Sequence, residues 1–143
     1  MGGSPTITSS SRPNSIERVP IRIVLIEDND VFREALELLL TLNGEIEVVG
    51  AAASGSRAVD LCRELSPDVL LVDYRLPGLD GVQVTRTVRK HCPAVAVVAL
   101  TAAAGEREIK ALLDAGATAC IRKDEPLDAI SAAVRAAAAG QDS

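Results

Sequence analysis

Aromatic residues are almost missing from this chain of 143 residues, which contains one Phe, one Tyr and no Trp. Because hydrophobic residues still make up 48% of the sequence, a folded core must be built from Val, Leu, Ile and Ala. No apolar run approaches the roughly 20 residues that a membrane span requires. The N-terminus also lacks the apolar segment of a secretory signal. We therefore expect a cytoplasmic protein of one domain, with no membrane partner.

Residues that form disulfides and soft metal sites are scarce as well. Cys62, Cys92 and Cys120 are widely spaced and include no CxxC pair, which favours free, buried thiols over a disulfide framework or a zinc site. The single histidine, His91, excludes a multi-histidine metal site, and we interpret it as a surface residue near a helix end. The net charge of −5 disfavours sequence-independent binding to nucleic acid.

An uninterrupted apolar run at residues 69–72 ends on a carboxylate, Asp73. Such a run, followed by turn residues, is typical of a strand that is covered on both faces of a sheet. Pro77, Gly78 and Gly81 predict a loop after it. Taken alone, Asp73 is as well explained by capping of this turn as by a function.

Strand-like and helix-like segments alternate along the rest of the chain. Residues 1–20 are rich in Gly, Ser, Thr and Pro and are predicted to be a flexible tail. The first helix, at residues 30–42, is predicted from apolar residues at helical spacing, which form its expected apolar face: Val31, Ala35, Leu38, Leu39 and Leu42. The remaining helices are predicted from Ser54 to Leu65, at 82–91, at 106–115 and from Pro126 to about Ala139; the strands are predicted at 21–26, 46–53, 69–73, 94–101 and 118–122.

Strict alternation of five strands with five helices predicts an α/β fold built from parallel βα units with right-handed crossovers. For this length we expect the flavodoxin-like (βα)5 arrangement, in which a five-stranded parallel sheet has the order 2-1-3-4-5 and helices on both faces. The domain itself spans residues 21–140, and residues 141–143 are a terminus or the start of a linker.

Four of the five predicted strands have polar residues at their carboxyl ends: Glu27 and Asp28, Asp73, Thr101, and Lys123. In a parallel sheet the carboxyl ends of these strands lie along one rim, where open α/β folds bind ligands. Each residue alone could be a helix cap, a turn former or a solvated surface group. Their coincidence at one rim favours a functional site.

The chemistry of this site follows from its charges. Three carboxylates that converge repel one another unless a cation is present, and hard oxygen ligands with open positions suit Mg²⁺ and phosphate. Lys123 would add a positive charge for a phosphoryl group, and Thr101 a hydroxyl donor. A carboxylate in such surroundings can act as a nucleophile toward phosphorus and form an aspartyl phosphate.

These motifs resemble the receiver domain of two-component response regulators over residues 21–140. The resemblance rests on Glu27-Asp28, on residues 72–81 with the sequence VDYRLPGLDG, on Leu100-Thr101-Ala102, and on Gly116-Ala117 with Ile121-Arg122-Lys123. It implies that Asp73 is the phosphoacceptor and that Thr101 and Lys123 hold the phosphoryl group. It also implies that Asp28, Asp73 and the main-chain carbonyl of Arg75 bind Mg²⁺, with Glu27 assisting through water.

The resemblance further implies partners. The phosphodonor would be a sensor histidine kinase or a small acyl phosphate. The switch surface would be formed by the fourth helix, the fifth strand and the fifth helix, and a homodimer, where one forms, would use the same surface.

Two positions depart from the usual receiver pattern. Cys120 replaces an aromatic residue that commonly moves together with the threonine, so we expect a smaller conformational response, or one carried by residues 102–105. Lys123-Asp124 replaces Lys-Pro and resembles the NarL/LuxR-type subfamily, whose receivers precede a helix-turn-helix domain. We therefore expect an excised receiver rather than a stand-alone one, with DNA bound only through an absent C-terminal output domain.

Two other functions remain as alternatives. Asp28-x-Asp30 after an apolar strand is similar to the motif of the haloacid-dehalogenase phosphatases, in which Asp28 would be the nucleophile; Phe32 does not fit that motif. A pseudo-receiver would act as an interaction module without phosphorylation. Such modules typically lose an acidic residue, the acceptor or the lysine, and this chain has all of them.

Overall fold

The computed structural model describes residues 19–102 and 105–141. Five strands alternate with five helices, and a short 3-10 turn at Gly55–Arg57 precedes the second helix. The strands are β1 (Ile21–Ile26), β2 (Ile46–Ala52), β3 (Val69–Asp73), β4 (Ala96–Thr101) and β5 (Ala119–Arg122). The helices are α1 (Asp30–Leu40), α2 (Ala58–Leu65), α3 (Gly81–His91), α4 (Glu106–Asp114) and α5 (Leu127–Gln141).

All neighbouring strands pair in parallel, in the order β2-β1-β3-β4-β5. This confirms the predicted fold and strand order. More than half of the element boundaries agree with the predicted ones, and most others differ by one or two residues, as helix and strand ends commonly do. The exception is α2, which begins at Ala58 and not at Ser54 because the 3-10 turn precedes it. Of the predicted tail, residues 1–18 lie outside the described residues, and Val19 and Pro20 belong to neither a helix nor a strand.

The core has two halves, one on each face of the sheet. Helices α2, α3 and α4 pack on one face, and α1 and α5 on the other. Residues 69–72 of β3 are fully buried because successive side chains point into alternate halves: Leu70 and Val72 into the first, Val69 and Leu71 into the second. The buried hydrophobic side chains among the described residues include no aromatic ring, as the composition predicts.

The apolar face predicted for α1 is wrong. Val31, Leu38 and Leu42 are 79%, 64% and 69% exposed, and the helix ends at Leu40 instead of continuing to Leu42. The buried residues are Leu36 and Leu40, at 3% and 2% exposure. Both sets of residues recur at helical spacing, so the pattern alone does not determine which face of α1 packs on the sheet. Tertiary contacts determine it.

The cysteines and the histidine are placed largely as predicted. All three cysteines are free; Cys62 and Cys92 are buried and Cys120 is half-buried. His91 is exposed at the end of α3, where its Nδ1 lies 3.2 Å from a guanidinium nitrogen of Arg63. Within the described ranges, every helix is too short or too polar to cross a bilayer.

Candidate functional site

Four strand ends bring the predicted polar residues to one rim of the sheet. Asp73 is the last residue of β3 and Thr101 the last of β4; both are almost fully buried. Glu27 follows β1 directly and is completely buried, and Lys123 follows β5. The parallel register explains this arrangement, because Asp73 pairs with Leu100 and Thr101 pairs with Arg122.

Glu27, Asp28 and Asp73 form an acidic cluster. Each offers one carboxylate oxygen, and these three atoms lie within 4.8 Å of one another. Glu27 and Asp73 are buried, whereas Asp28 is exposed. The cluster therefore has two oxygens fixed inside the protein and one at the solvent edge, which leaves an open side for a ligand.

Lys123 neutralises much of this negative charge. Its Nζ lies 2.9 Å from Oδ2 of Asp73, to which it donates a hydrogen bond, and 2.7 Å from Oε1 of Glu27. The backbone N–H of Lys123 donates to the carbonyl of Thr101 at 2.7 Å, which continues the pairing of β4 and β5 past the end of β5. The lysine is thus anchored by its main chain next to Thr101.

The environment shifts the pKa of two of these groups. Burial raises the pKa of the Glu27 carboxyl, and the neighbouring Asp73 adds to this effect, while Lys123 and the N–H of Asn29 oppose it. Burial alone would lower the pKa of Lys123, but its contacts with Glu27 and Asp73 outweigh burial and raise it. The ammonium is therefore held in its charged form by the carboxylates that a metal ion would bind.

The donor set fits Mg²⁺. Carboxylate oxygens are the hard ligands that this ion prefers, and a site with one open side leaves room for water and phosphate oxygens. Oε1 of Glu27 is buried and, apart from its ion pair with Lys123, has no hydrogen-bond donor among the described residues. Such an atom is readily explained as part of a cation site.

The loop after β3 is shaped by close backbone contacts. The N–H of Tyr74 donates to the carbonyl of Leu100, and the N–H of Arg75 donates to Oδ1 of Asp73 at 3.2 Å. A Cβ atom on Gly81 would lie 2.7 Å from Cα of Tyr74 and 2.8 Å from the carbonyl oxygen of Asp73, so only glycine fits there. Asp80 caps α3 through a reciprocal pair of hydrogen bonds with Gln83.

A cavity of about 510 Å³ opens beside the acidic cluster. It is lined by Asp28, Tyr74, Arg75, Leu76, Pro77, Asp80 and Glu108. Two of these residues, Asp28 and Arg75, are among the predicted metal ligands. The role of the Arg75 carbonyl as a ligand stays a prediction.

Sequence reasoning missed two residues at this site. The ring centroid of Phe32 lies 4.7 Å from Nζ of Lys123, and the N–H of Asn29 donates to Oε2 of Glu27 at 2.9 Å. The available signal was the position of Phe32, the only phenylalanine of the chain, one helical turn after Asp28.

Comparison with known proteins identifies the family of this chain. The family of the response regulator receiver domain matches residues 23–135. The chain belongs to the receiver domain family. Its predicted fold class therefore agrees with the family match, and the phosphatase alternative does not.

The relatives of this receiver domain include regulators of larger size. The chain is 34% identical over 121 residues to the transcriptional regulatory protein LiaR of Bacillus subtilis, covering 85% of this chain and 57% of LiaR. It is 33% identical to the response regulator protein VraR of Staphylococcus aureus, covering 85% of this chain and 58% of VraR. The receiver therefore spans little more than half the length of these curated relatives.

Solved receiver structures agree with this assignment. The signal receiver domain of the putative response regulator NarL from Mycobacterium tuberculosis has a TM-score of 0.81 and 36% identity, covering 85% of this chain and 98% of that one. A two-component response regulator of the LuxR family from Aurantimonas also has a TM-score of 0.81, with 30% identity, covering 85% of this chain and 87% of that one. These relatives confirm the predicted resemblance to NarL/LuxR-type receivers.

Proposed function

We propose that this receiver is a phosphoacceptor switch in which Asp73 accepts a phosphoryl group from a sensor histidine kinase or a small acyl phosphate. The observation that carries the proposal is the position of Asp73. Its carboxylate is buried at a strand end, lies 2.9 Å from an ammonium group and adjoins the oxygens of Glu27 and Asp28. A nucleophile for phosphorus needs this combination of fixed position and nearby positive charge.

The residues have separate roles in the proposed transfer. An oxygen of Asp73 forms a bond to phosphorus while the bond from phosphorus to the donor histidine nitrogen, or to the acyl oxygen, breaks. Lys123 places positive charge next to the transferred oxygens, and the hydroxyl of Thr101 donates a hydrogen bond to one of them. Mg²⁺, when bound by Glu27, Asp28, Asp73 and the Arg75 carbonyl, supplies further positive charge for phosphate oxygens.

The output is proposed to lie outside this domain. The relatives LiaR and VraR are named as a transcriptional regulatory protein and a response regulator protein, and both are longer than the matched region. Phosphorylation would change the surface formed by α4, β5 and α5. Through this surface the receiver would control a DNA-binding output segment, or would bind a second copy of the chain. The receiver would catalyse only its own phosphorylation and dephosphorylation, in the cytoplasm.

Intact mass after incubation with acetyl phosphate and Mg²⁺ tests this proposal. We expect one phosphoryl adduct in the wild type, its loss on chelation of Mg²⁺, and its loss in Asp73→Asn. Asp114→Asn is the matched control, because Asp114 is exposed on α4 and forms an ion pair with the exposed Lys110. An adduct that survives in Asp73→Asn and disappears in Asp28→Asn would move the nucleophile to Asp28. A wild type that neither binds Mg²⁺ nor gains an adduct would instead be a phosphorylation-independent interaction module.

A further inference from the structure

Phe32 contacts the lysine of the site through the face of its ring. The centroid lies 4.7 Å from Nζ of Lys123, within the range of a cation–π interaction. We propose that Phe32 is a positioning residue, which holds the ammonium of Lys123 at the site while the carboxylates around it change partners. This inference rests on the proposed function of the site.

The backbone that carries the ring is held by hydrogen bonds at the first turn of α1. The side chain of Asn29 accepts a hydrogen bond from the N–H of Phe32 at 2.8 Å, and the N–H of Asn29 donates to Glu27. A guanidinium nitrogen of Arg33 donates to the carbonyl of Glu27 at 2.7 Å. The helix start is therefore tied to the strand end that carries the acidic cluster.

Packing against the core also restrains Phe32. Phe32 is half-buried and contacts the half of the core that α1 and α5 share. Lys123, in contrast, has a long and flexible side chain, 20% exposed, which follows the four-residue edge strand β5. Because the ring is rigid, its contact with the ammonium reduces the number of conformations that the flexible side chain of Lys123 can adopt.

The ring matters because the other partners of Lys123 also serve as the proposed metal ligands and phosphoacceptor. A cation bound by Glu27 and Asp73 would compete with Lys123 for their oxygens, and a phosphoryl group would occupy an oxygen of Asp73. The attraction between the ring quadrupole and the ammonium does not require either carboxylate. Phe32 would thus keep Lys123 close to the incoming phosphoryl group in each of these states.

Two substitutions separate positioning from simple packing. Phe32→Leu keeps an apolar side chain against the core but removes the ring, whereas Phe32→Tyr keeps the ring. We expect phosphorylation by acetyl phosphate to be about 5- to 10-fold slower in Phe32→Leu and within about twofold of the wild type in Phe32→Tyr. The affinity for Mg²⁺, measured by calorimetry, should change less than the rate.

A double-mutant cycle and a spectroscopic signal complete the test. Phe32→Leu should slow phosphorylation no further when Lys123 is already Met, because the ring acts through the ammonium. In the wild type the ε-methylene protons of Lys123 should be shifted upfield by the ring; the shift should persist in Phe32→Tyr and disappear in Phe32→Leu.

The outcomes are distinguishable from failure of the proposed function. Equal rates in Phe32→Leu and wild type, equal losses in the Leu and Tyr variants, or additive effects with Lys123→Met would overturn the positioning role. Absence of the upfield shift in the wild type would do so as well. If the wild type accepts no phosphoryl group, the proposed function fails, and the methylene shift still decides whether the ring holds the lysine.

Discussion

Lys123 and Asp73 stand 50 positions apart in the sequence, yet Nζ of Lys123 donates a hydrogen bond of 2.9 Å to Oδ2 of Asp73. Strand β3 ends at Asp73, and strand β5 ends one residue before Lys123; the two strands lie on either side of β4. The same ammonium is 2.7 Å from the buried carboxylate of Glu27. Lys123 therefore supplies positive charge at the position where a metal ion would bind.

These contacts predict that Lys123→Met has opposite effects on the affinity for Mg²⁺ and on the rate of phosphorylation of Asp73. Removing the ammonium frees the oxygens of Glu27 and Asp73, so Mg²⁺ should bind at least about 5-fold tighter. Phosphorylation of Asp73 should nevertheless be at least about 10-fold slower, because the charge proposed to stabilise the transferred oxygens is lost. Calorimetry with Mg²⁺ and intact mass over time measure the two effects.

Lys110→Met is the matched control for this experiment. Lys110 is exposed on α4 and pairs with Asp114, so its loss should leave both measurements close to those of the wild type. Weaker binding of Mg²⁺ to Lys123→Met than to the wild type would contradict the idea that the ammonium competes with the metal ion.

Gly81→Ala should distort the loop that follows Asp73. The added Cβ would lie 2.7 Å from Cα of Tyr74, and backbone cannot yield as a flexible side chain can. We expect a loss of about 1–3 kcal/mol in the free energy of unfolding, with weaker binding of Mg²⁺. Gly140→Ala is the control, since its Cβ would meet nothing within 4 Å and should be neutral or stabilising by less than about 1 kcal/mol. Equal stability of the two variants would contradict the close approach at Gly81.

The sequence allowed the fold and most of the site to be predicted for a simple physical reason. Alternating elements imply parallel strands, and parallel strands bring Glu27, Asp73 and Lys123 to one rim whatever lies between them in the sequence. The contact of Phe32 with Lys123 could not be predicted this way. It depends on how α1 packs against the sheet, and residues 31, 38 and 42 offered an equally periodic alternative to residues 32, 36 and 40.

The two registers of α1 can be compared by mutation. Leu36→Ala removes a side chain that is 3% exposed and should cost about 2–5 kcal/mol of unfolding free energy. Leu38→Ala removes one that is 64% exposed and should change stability by less than about 0.5 kcal/mol. Chemical denaturation followed by circular dichroism measures both. A larger loss of unfolding free energy for Leu38→Ala than for Leu36→Ala would show that the face predicted from the periodicity is the buried one.

Cys120 predicts how the switch responds to phosphorylation. It is half-buried in β5, pairs with Ala99 of β4 and packs against the core half formed with α2, α3 and α4. With no aromatic ring there to swing, we expect a phosphoryl mimic to cause small changes in backbone chemical shifts around Cys120, or changes confined to residues 102–105, of which 103 and 104 lie outside the described residues. Large shifts around Cys120 would contradict this hypothesis.

Cys62 should make stability depend on pH in the alkaline range. Burial, together with the nearby Cys92, raises the pKa of its thiol from 9.0 to about 12. Because the folded state holds this proton more tightly than the unfolded state, the contribution to stability is complete below pH 9 and is lost as pH rises toward 12. Between pH 9 and 10.5 the wild type should lose up to about 1.4 kcal/mol more per pH unit than Cys62→Ala. Denaturation under reducing conditions at several pH values measures the two slopes, and parallel slopes would show that the Cys62 thiol ionises as easily in the fold as in the unfolded chain.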